Sequence, residues 1–344
     1  MEPNIHYVNS LDEVRIAYST LGAGPVLLVM PVLPTGHLEL EWHMPERREW
    51  YMRMADHHTV VRYDPRGAGL STRSVKNLSC DAHFADLEAV VERVAGDSSV
   101  AILARHLAGP LAVKYAAMNQ DRVSRLILWH SFAKGGDYAT VARTEAIQSL
   151  VTKDWEVYTE SVATFTVASQ DYDMNRRYAA YMRGSSEPDQ YERSLANLNA
   201  VDCSEYLPCI TSPTLVLQRR DVQKFDPTVT RSLAAAIPDA RLALVNGTSW
   251  AMLAEDVSNV TQIIEEFLAG APDIYDSELR SVSFTEREEQ VLRLLSAGLH
   301  NRAIADQLSV SVHTVDRHIA NIYLKLGVHN RVEAATYALR HGKA

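Results

Sequence analysis

The stretch Ser99-Val-Ala-Ile-Leu-Ala-Arg-His-Leu-Ala-Gly-Pro-Leu-Ala-Val-Lys-Tyr-Ala-Ala-Met118 decides the fold of most of this 344-residue chain. It opens with an apolar run of strand length, Ser99–Leu103, passes a turn of small residues around His106, and continues as a helical segment, Gly109–Met118. Runs of the same kind recur at Val14–Tyr18, Val26–Met30, Thr59–Tyr63, Arg125–Trp129, Thr214–Leu217 and Arg241–Val245, with helical stretches such as Ala82–Val94 between them. Short apolar strands separated by helices predict an α/β domain whose mostly parallel sheet is covered on both faces.

Composition sets the limits. Hydrophobic residues make up 47% of the chain, enough for a large core, and the length suits about two domains. No apolar run reaches the roughly 18 residues that span a bilayer, and the N-terminus lacks a signal-peptide pattern. The three cysteines, Cys80, Cys203 and Cys209, have no metal-ligand spacing and suit a reducing cytoplasm. No cofactor is expected. Net charge is −9, which argues against nucleic-acid binding by the whole surface. Residues 281–344, however, hold eight Lys/Arg against six Asp/Glu, so a +2 tail follows a −11 body. That asymmetry suits a protein that touches DNA at one end.

The tail reads as consecutive helices. Val291, Leu292, Leu294 and Leu295 form a helical stripe, Thr285 with Glu288 makes a capping box, and Gly298 suits a left-handed helix end. A second helix spans Asn301–Leu308 and buries Ile304, Ala305 and Leu308. A tight turn at Ser309–Val310 leads to a third, capped by Ser311, which packs Val315, Ile319, Ile322 and Leu326 inward. Its other face carries His313, Asp316, Arg317, Ala320 and Asn321. A fourth helix is expected over Arg331–His341, with Val332, Ala335 and Leu339 apolar. Periodicity alone also allows a helical protein-interaction bundle.

The string from 284 to 342 resembles the LuxR/NarL-type helix-turn-helix domain. The resemblance implies that Val315, Arg317 and their neighbours Asp316 and Asn321 read bases in the major groove. It implies that Thr314, His318, Lys325 and Asn301 contact phosphates. The fourth helix would dimerise the protein on a pseudo-palindromic double-stranded operator. The family often has a lysine where this chain has Asp316, which either accepts from cytosine or pairs with Arg317 or Arg331.

Residues from about 5 to 270 resemble an α/β-hydrolase. The resemblance rests on Tyr63-Asp-Pro-Arg-Gly-Ala-Gly-Leu-Ser71, the strand-turn-helix at Ile102–Ala117, and Pro213-Thr-Leu-Val-Leu217 followed by Ile237-Pro-Asp-Ala240. His37-Leu-Glu-Leu-Glu-Trp42 is similar to bacterial hydrolase domains fused to LuxR-type tails. In this fold a helical insertion like 134–206 forms a lid. The expected organisation is therefore a hydrolase-like body over 1–270, a linker over 271–283 and a helix-turn-helix domain over 284–344.

Family hydrolases carry Gly-x-Ser-x-Gly at the strand-to-helix turn. Here Ala104-Arg-His-Leu-Ala-Gly109 puts His106 in the nucleophile slot. Val222 takes the slot of the acid, with Asp221 one residue early, and Trp250 takes that of the base. Pro31 has no N–H to give an oxyanion. Without a hydroxyl and a general base there is no route to an acyl-enzyme. The expectation is a catalytically inactive, ligand-sensing regulator. Its candidate ligand contacts are His106, Leu107, Trp250, Trp129, His130, Val32, Asp221 and Val222, around a moderately apolar molecule. His106 is alternatively structural, or the base of unconventional chemistry with Asp221, and Trp250 alternatively fills the vacated space. Arg105 reads as a surface residue held by an acid, or as a partner for an anionic ligand. A body that binds no ligand and serves only for dimerisation is the remaining alternative.

Overall fold

The computed structural model describes residues 3–139, 146–167, 172–222, 227–270 and 285–326, together with 331, 334 and 338. The chain divides into two compact units, Met1–Gly270 and Ala271–Ala344.

The first unit is built on an eight-stranded sheet, ordered β1-β2-β4-β3-β5-β6-β7-β8. The strands are β1 Asn4–Asn9, β2 Arg15–Leu21, β3 Val26–Val29, β4 Thr59–Tyr63, β5 Val100–Arg105, β6 Val123–Trp129, β7 Thr214–Arg219 and β8 Ala240–Val245. β1 and β2 pair antiparallel and everything from β4 onward is parallel. Every residue of β5 and of β7 is buried, as expected of central strands packed on both faces. β1 is absent from the expected strands for a physical reason. Asn4-Ile-His-Tyr-Val-Asn9 is an edge strand with four residues exposed, Asn4, His6, Tyr7 and Asn9, and no clean apolar alternation.

β5 runs two residues beyond its apolar core, to Arg105, which pairs with Trp129 on β6. The helix Gly109–Met118 starts at the predicted residue, with Pro110 in its first turn, where a missing N–H costs nothing. Gly109 is required by close packing: a Cβ there would lie 1.4 Å from Ser131 Oγ. Between β6 and β7 the described segments are mostly helical, including Trp155–Val167, Tyr172–Ser185 and Pro188–Asn199. Their inward aromatics Tyr158, Tyr178, Tyr181 and Tyr191 join the main core. Cys80, Cys203 and Cys209 are free thiols. No described helix is long and apolar enough to cross a membrane.

The second unit contains the helices Glu286–Ser296, Asn301–Leu308 and Val312–Leu326. The capping box is formed: Thr285 Oγ1 accepts from the Glu288 N–H, and Glu288 Oε2 accepts from the Thr285 N–H. Gly298, at φ +86°, closes the first helix. Leu299 N–H then reaches Leu294 O and Gly298 N–H reaches Leu295 O, satisfying carbonyls that the helix leaves unpaired. Ser309, at φ +54°, closes the second helix with the same pair of bonds, to Ala305 O and Asp306 O. Val291, Leu292, Leu295, Ile304, Ala305, Val315, Ile319 and Ile322 form the core with Ala334 and Ala338. The expected linker, Val332, Ala335 and Leu339, and most of the expected fourth helix lie outside the described residues.

Candidate functional site

β5 delivers the chain to a strained turn. His106 sits at φ +52°, in the left-handed region that a β-carbon disfavours, and the turn tightens through residues 106–108 before the helix begins. Ser131 Oγ donates to His106 O at 3.1 Å, tying the turn to the segment after β6. His130, in the matching position beyond β6, also has positive φ, at +43°. The Arg219 N–H donates to His130 Nε2 at 3.1 Å, so that nitrogen is the acceptor of its ring.

The two imidazoles and Trp250 form one aromatic cluster. His106 stacks on Trp250 with centroids 5.4 Å apart, and His130 lies 5.6 Å from Trp250. Trp129 meets His130 edge-on at 4.9 Å, and its indole N–H donates to Trp250 O at 2.9 Å. The loop bearing Trp250 is fixed from two sides. Arg219, fully buried, donates to Asn246 O, Met252 O and Glu255 O. Thr166 O, near the end of the helix Trp155–Val167, accepts from the N–H groups of Trp250 and Ala251 and from Ser249 Oγ. Burial, with Arg105 adding its charge, pushes the His106 imidazole down to about 3. Burial and the neighbouring His106 and Arg219 hold His130 well below its usual range. Both rings are therefore neutral at pH 7. His106 Nδ1 is buried and has no hydrogen-bond partner.

His106 lines a small cleft, with about 30 Å³ of space for the centres of water-sized molecules. Val32, Met44, Val167 and Met174 supply apolar wall, and Arg47, Arg105, Glu46 and Tyr178 supply polar groups. Of the eight expected ligand contacts, the structure brings His106 and Val32 to this pocket. Leu107, Trp129, His130, Val222 and Trp250 are buried but do not line it. Trp250 belongs to the hydrophobic core, because its ring fills the space against the two histidines. Asp221 is exposed just beyond β7, and its N–H donates to Gly247 O at 3.3 Å. Arg105 is not a surface residue, because the extension of β5 buries it.

Beneath the pocket, Glu41 gathers three guanidiniums. Arg47 lies 2.5 Å from Oε1, Arg62 3.3 Å from Oε2 and Arg105 3.8 Å from Oε1. Burial alone would raise the Glu41 carboxyl, but Arg47, Arg105 and Arg62 together hold it at about 2. Sequence reading overlooked this cluster, although a signal was present. Leu38, Glu41 and Trp42 are the buried residues of the helix Leu38–Trp42, and a carboxylate on an apolar face needs a partner. Among the described residues no group of His, Cys, Asp and Glu is placed to hold a metal.

In the second unit, the third helix exposes His313, Asp316, Arg317, Ala320 and Asn321, while Thr314 and His318 are half-buried. Val315 is fully buried in the core, which corrects its place among the base-reading residues: a side chain pointing inward cannot reach a groove. Thr314 closes the helix start, where its N–H donates to Ser311 Oγ at 3.1 Å. Asp316 pairs with neither arginine directly. It accepts from Asn301 Nδ2 at 2.8 Å, and Asn301 Oδ1 accepts from Arg331 at 3.1 Å. Arg331 also donates to Leu295 O and Leu299 O, at the end of the first helix. The side chain of Lys325 lies outside those described.

Residues 282–338 match the family "Bacterial regulatory proteins, luxR family", and residues 48–256 match "alpha/beta hydrolase fold". Over 61 residues, 18% of the chain, it is 43% identical to response regulator Rre1 of Synechocystis sp. and 44% identical to transcriptional regulatory protein LnrK of Bacillus subtilis. The match spans only 26% and 28% of those proteins. The sheet unit is similar to an esterase from Exiguobacterium antarcticum, at TM-score 0.68 and 16% identity over 78% of this chain and 100% of that one. It is also similar to an enol-lactonase from Burkholderia xenovorans, at TM-score 0.61 and 20% identity over 77% of this chain and 100% of that one. At such identities the likeness concerns the fold.

Proposed function

The chain belongs to the alpha/beta hydrolase fold family and ends in a luxR-family domain, and from that premise we propose that it is a transcription regulator whose body binds a small molecule without turning it over. The observation that carries this reading is the turn at the tip of β5. Its strained geometry is intact, yet the residue held there is His106, neutral, buried and stacked on Trp250. A hydrolase needs a hydroxyl beside a base that an acid orients. Here the neighbouring ring is an indole, and Asp221 faces solvent. What remains is a cleft lined in part by His106, whose buried Nδ1 has no hydrogen-bond partner, and this supports binding over turnover.

In this reading the body comprises residues 1–270, with the helices of 134–206 as its lid, 271–283 form the linker, and 284–344 bind DNA. Arg317, Asp316 and Asn321 on the exposed face of the third helix meet base edges, and Thr314, His318, Asn301 and Lys325 meet phosphates. Two copies bind a pseudo-palindromic operator. Ligand binding changes operator affinity only through different affinities for two states of the protein.

The test is a turnover screen with ester, lactone and epoxide substrates. The expected result is no rate above the uncatalysed background. Turnover lost in His106→Ala would overturn the non-catalytic reading and establish an enzyme attached to a DNA-binding tail.

A further inference from the structure

The charge beneath the pocket does not balance. Arg47, Arg62 and Arg105 share Glu41, and all four side chains are at most 10% exposed. The other buried acid nearby, Asp64, is pushed up to about 7 by burial, so it offers at most part of a second negative charge. Burial holds the Tyr51, Tyr178 and Tyr181 phenols above their usual range, which keeps them neutral. Glu46, the carboxylate among the pocket-lining residues, is 17% exposed and pairs with Arg177 at 3.8 Å. Three cations therefore face one committed carboxylate.

Arg105 is the least satisfied of them. Arg47 has Glu41 at 2.5 Å and the Tyr181 ring at 4.8 Å, and Arg62 lies 4.4 Å from the Tyr51 ring. Arg105 donates to Met30 O at 3.2 Å and stands 3.8 Å from Glu41, while its buried Nε has no hydrogen-bond partner. An incompletely paired buried cation is costly to leave so, and a bidentate carboxylate is the natural partner of a guanidinium. Arg105 and Arg47 both line the pocket, as does His106 with its unpartnered Nδ1.

We propose that the pocket is a carboxylate site: its ligand is an apolar monocarboxylate whose acid group lies against Arg105 and Arg47 and within hydrogen-bond reach of His106. This rests on the reading of the body as a ligand-binding domain and names its ligand class. The apolar part of the ligand is set by Val32, Met44, Val167 and Met174. Single rather than double charge follows from Glu46, which would repel a dianion at the wall.

The test is thermal melting of the full chain with straight-chain carboxylates from butyrate to decanoate and with phenylacetate, each beside its primary amide. At least one acid is expected to raise Tm by about 5 °C near saturation, as selective binding to the native state does. Its amide is expected to give no shift, and Arg105→Met to abolish the response. Without ligand, Arg105→Met is expected to melt at or above the parent, because it removes an uncompensated cation. Equal shifts from acid and amide would overturn the carboxylate assignment and leave the ligand-binding reading standing. No shift from any acid would also overturn it, whereas the wider reading is tested by neutral metabolites. An Arg105→Met variant that melts well below the parent would make Arg105 a structural counter-ion of Glu41 and overturn the proposal as well.

Discussion

Two residues at the tip of β5 show how local chemistry is spent there. Gly109 is glycine because Ser131 Oγ occupies the place of its β-carbon. Gly109→Ala should cost on the order of 1–3 kcal/mol, the usual range for overpacking. Adding Ser131→Gly should restore part of that stability, a coupling that denaturant melts of the double-mutant cycle would read. His106 is neutral at φ +52°, between the cation of Arg105 and the ring of His130. Its imidazole is held at about 3 in the folded chain against 6.5 when free. The unfolded chain therefore takes up this proton first, so the contribution to stability is complete above 6.5 and is lost as pH falls toward 3. The loss is at most about 1.4 kcal/mol per pH unit. His106→Asn, whose side chain tolerates the left-handed turn, should give a shallower fall in Tm between pH 7 and 5. Identical slopes would mean that His106 is not kept neutral by burial.

At the scale of elements, the third helix of the second unit separates two roles that the family resemblance merges and helical periodicity already sets apart. Arg317 is exposed, and Val315 two residues earlier is fully buried. Arg317→Ala should weaken operator binding by about 1–3 kcal/mol and relax base preference, with Tm unchanged. Val315→Ala should cost roughly 2 kcal/mol of stability and leave base preference intact. Measuring affinity and melting together in both variants checks the assignment. The elements themselves were legible where one force dominates. Continuous apolar runs announced the central strands, and Thr285 with Glu288, together with Gly298, announced the bounds of the first tail helix. The polar edge strand β1 left no such mark. The pocket was mostly illegible because Val32, Arg47, Arg105, Met174 and Ala254 meet only through the tertiary fold. The burial of Arg105 was illegible because two further residues of β5 pairing, not local composition, produce it.

At the scale of the whole molecule, an acidic body, proposed above to bind a ligand, precedes a mildly basic tail that carries the luxR-family domain. Under the proposed function, ligand binding and operator binding are two ends of one equilibrium. Its most direct measurement takes a metabolite that raises the Tm of the full chain and titrates operator DNA with and without it, by fluorescence anisotropy. The metabolite is then recovered for mass spectrometry. Operator affinity is expected to change by roughly 5- to 150-fold, the usual span of allosteric coupling, and the metabolite to return with its mass unchanged. An unaltered affinity, or a metabolite that comes back chemically changed, would contradict the proposed function.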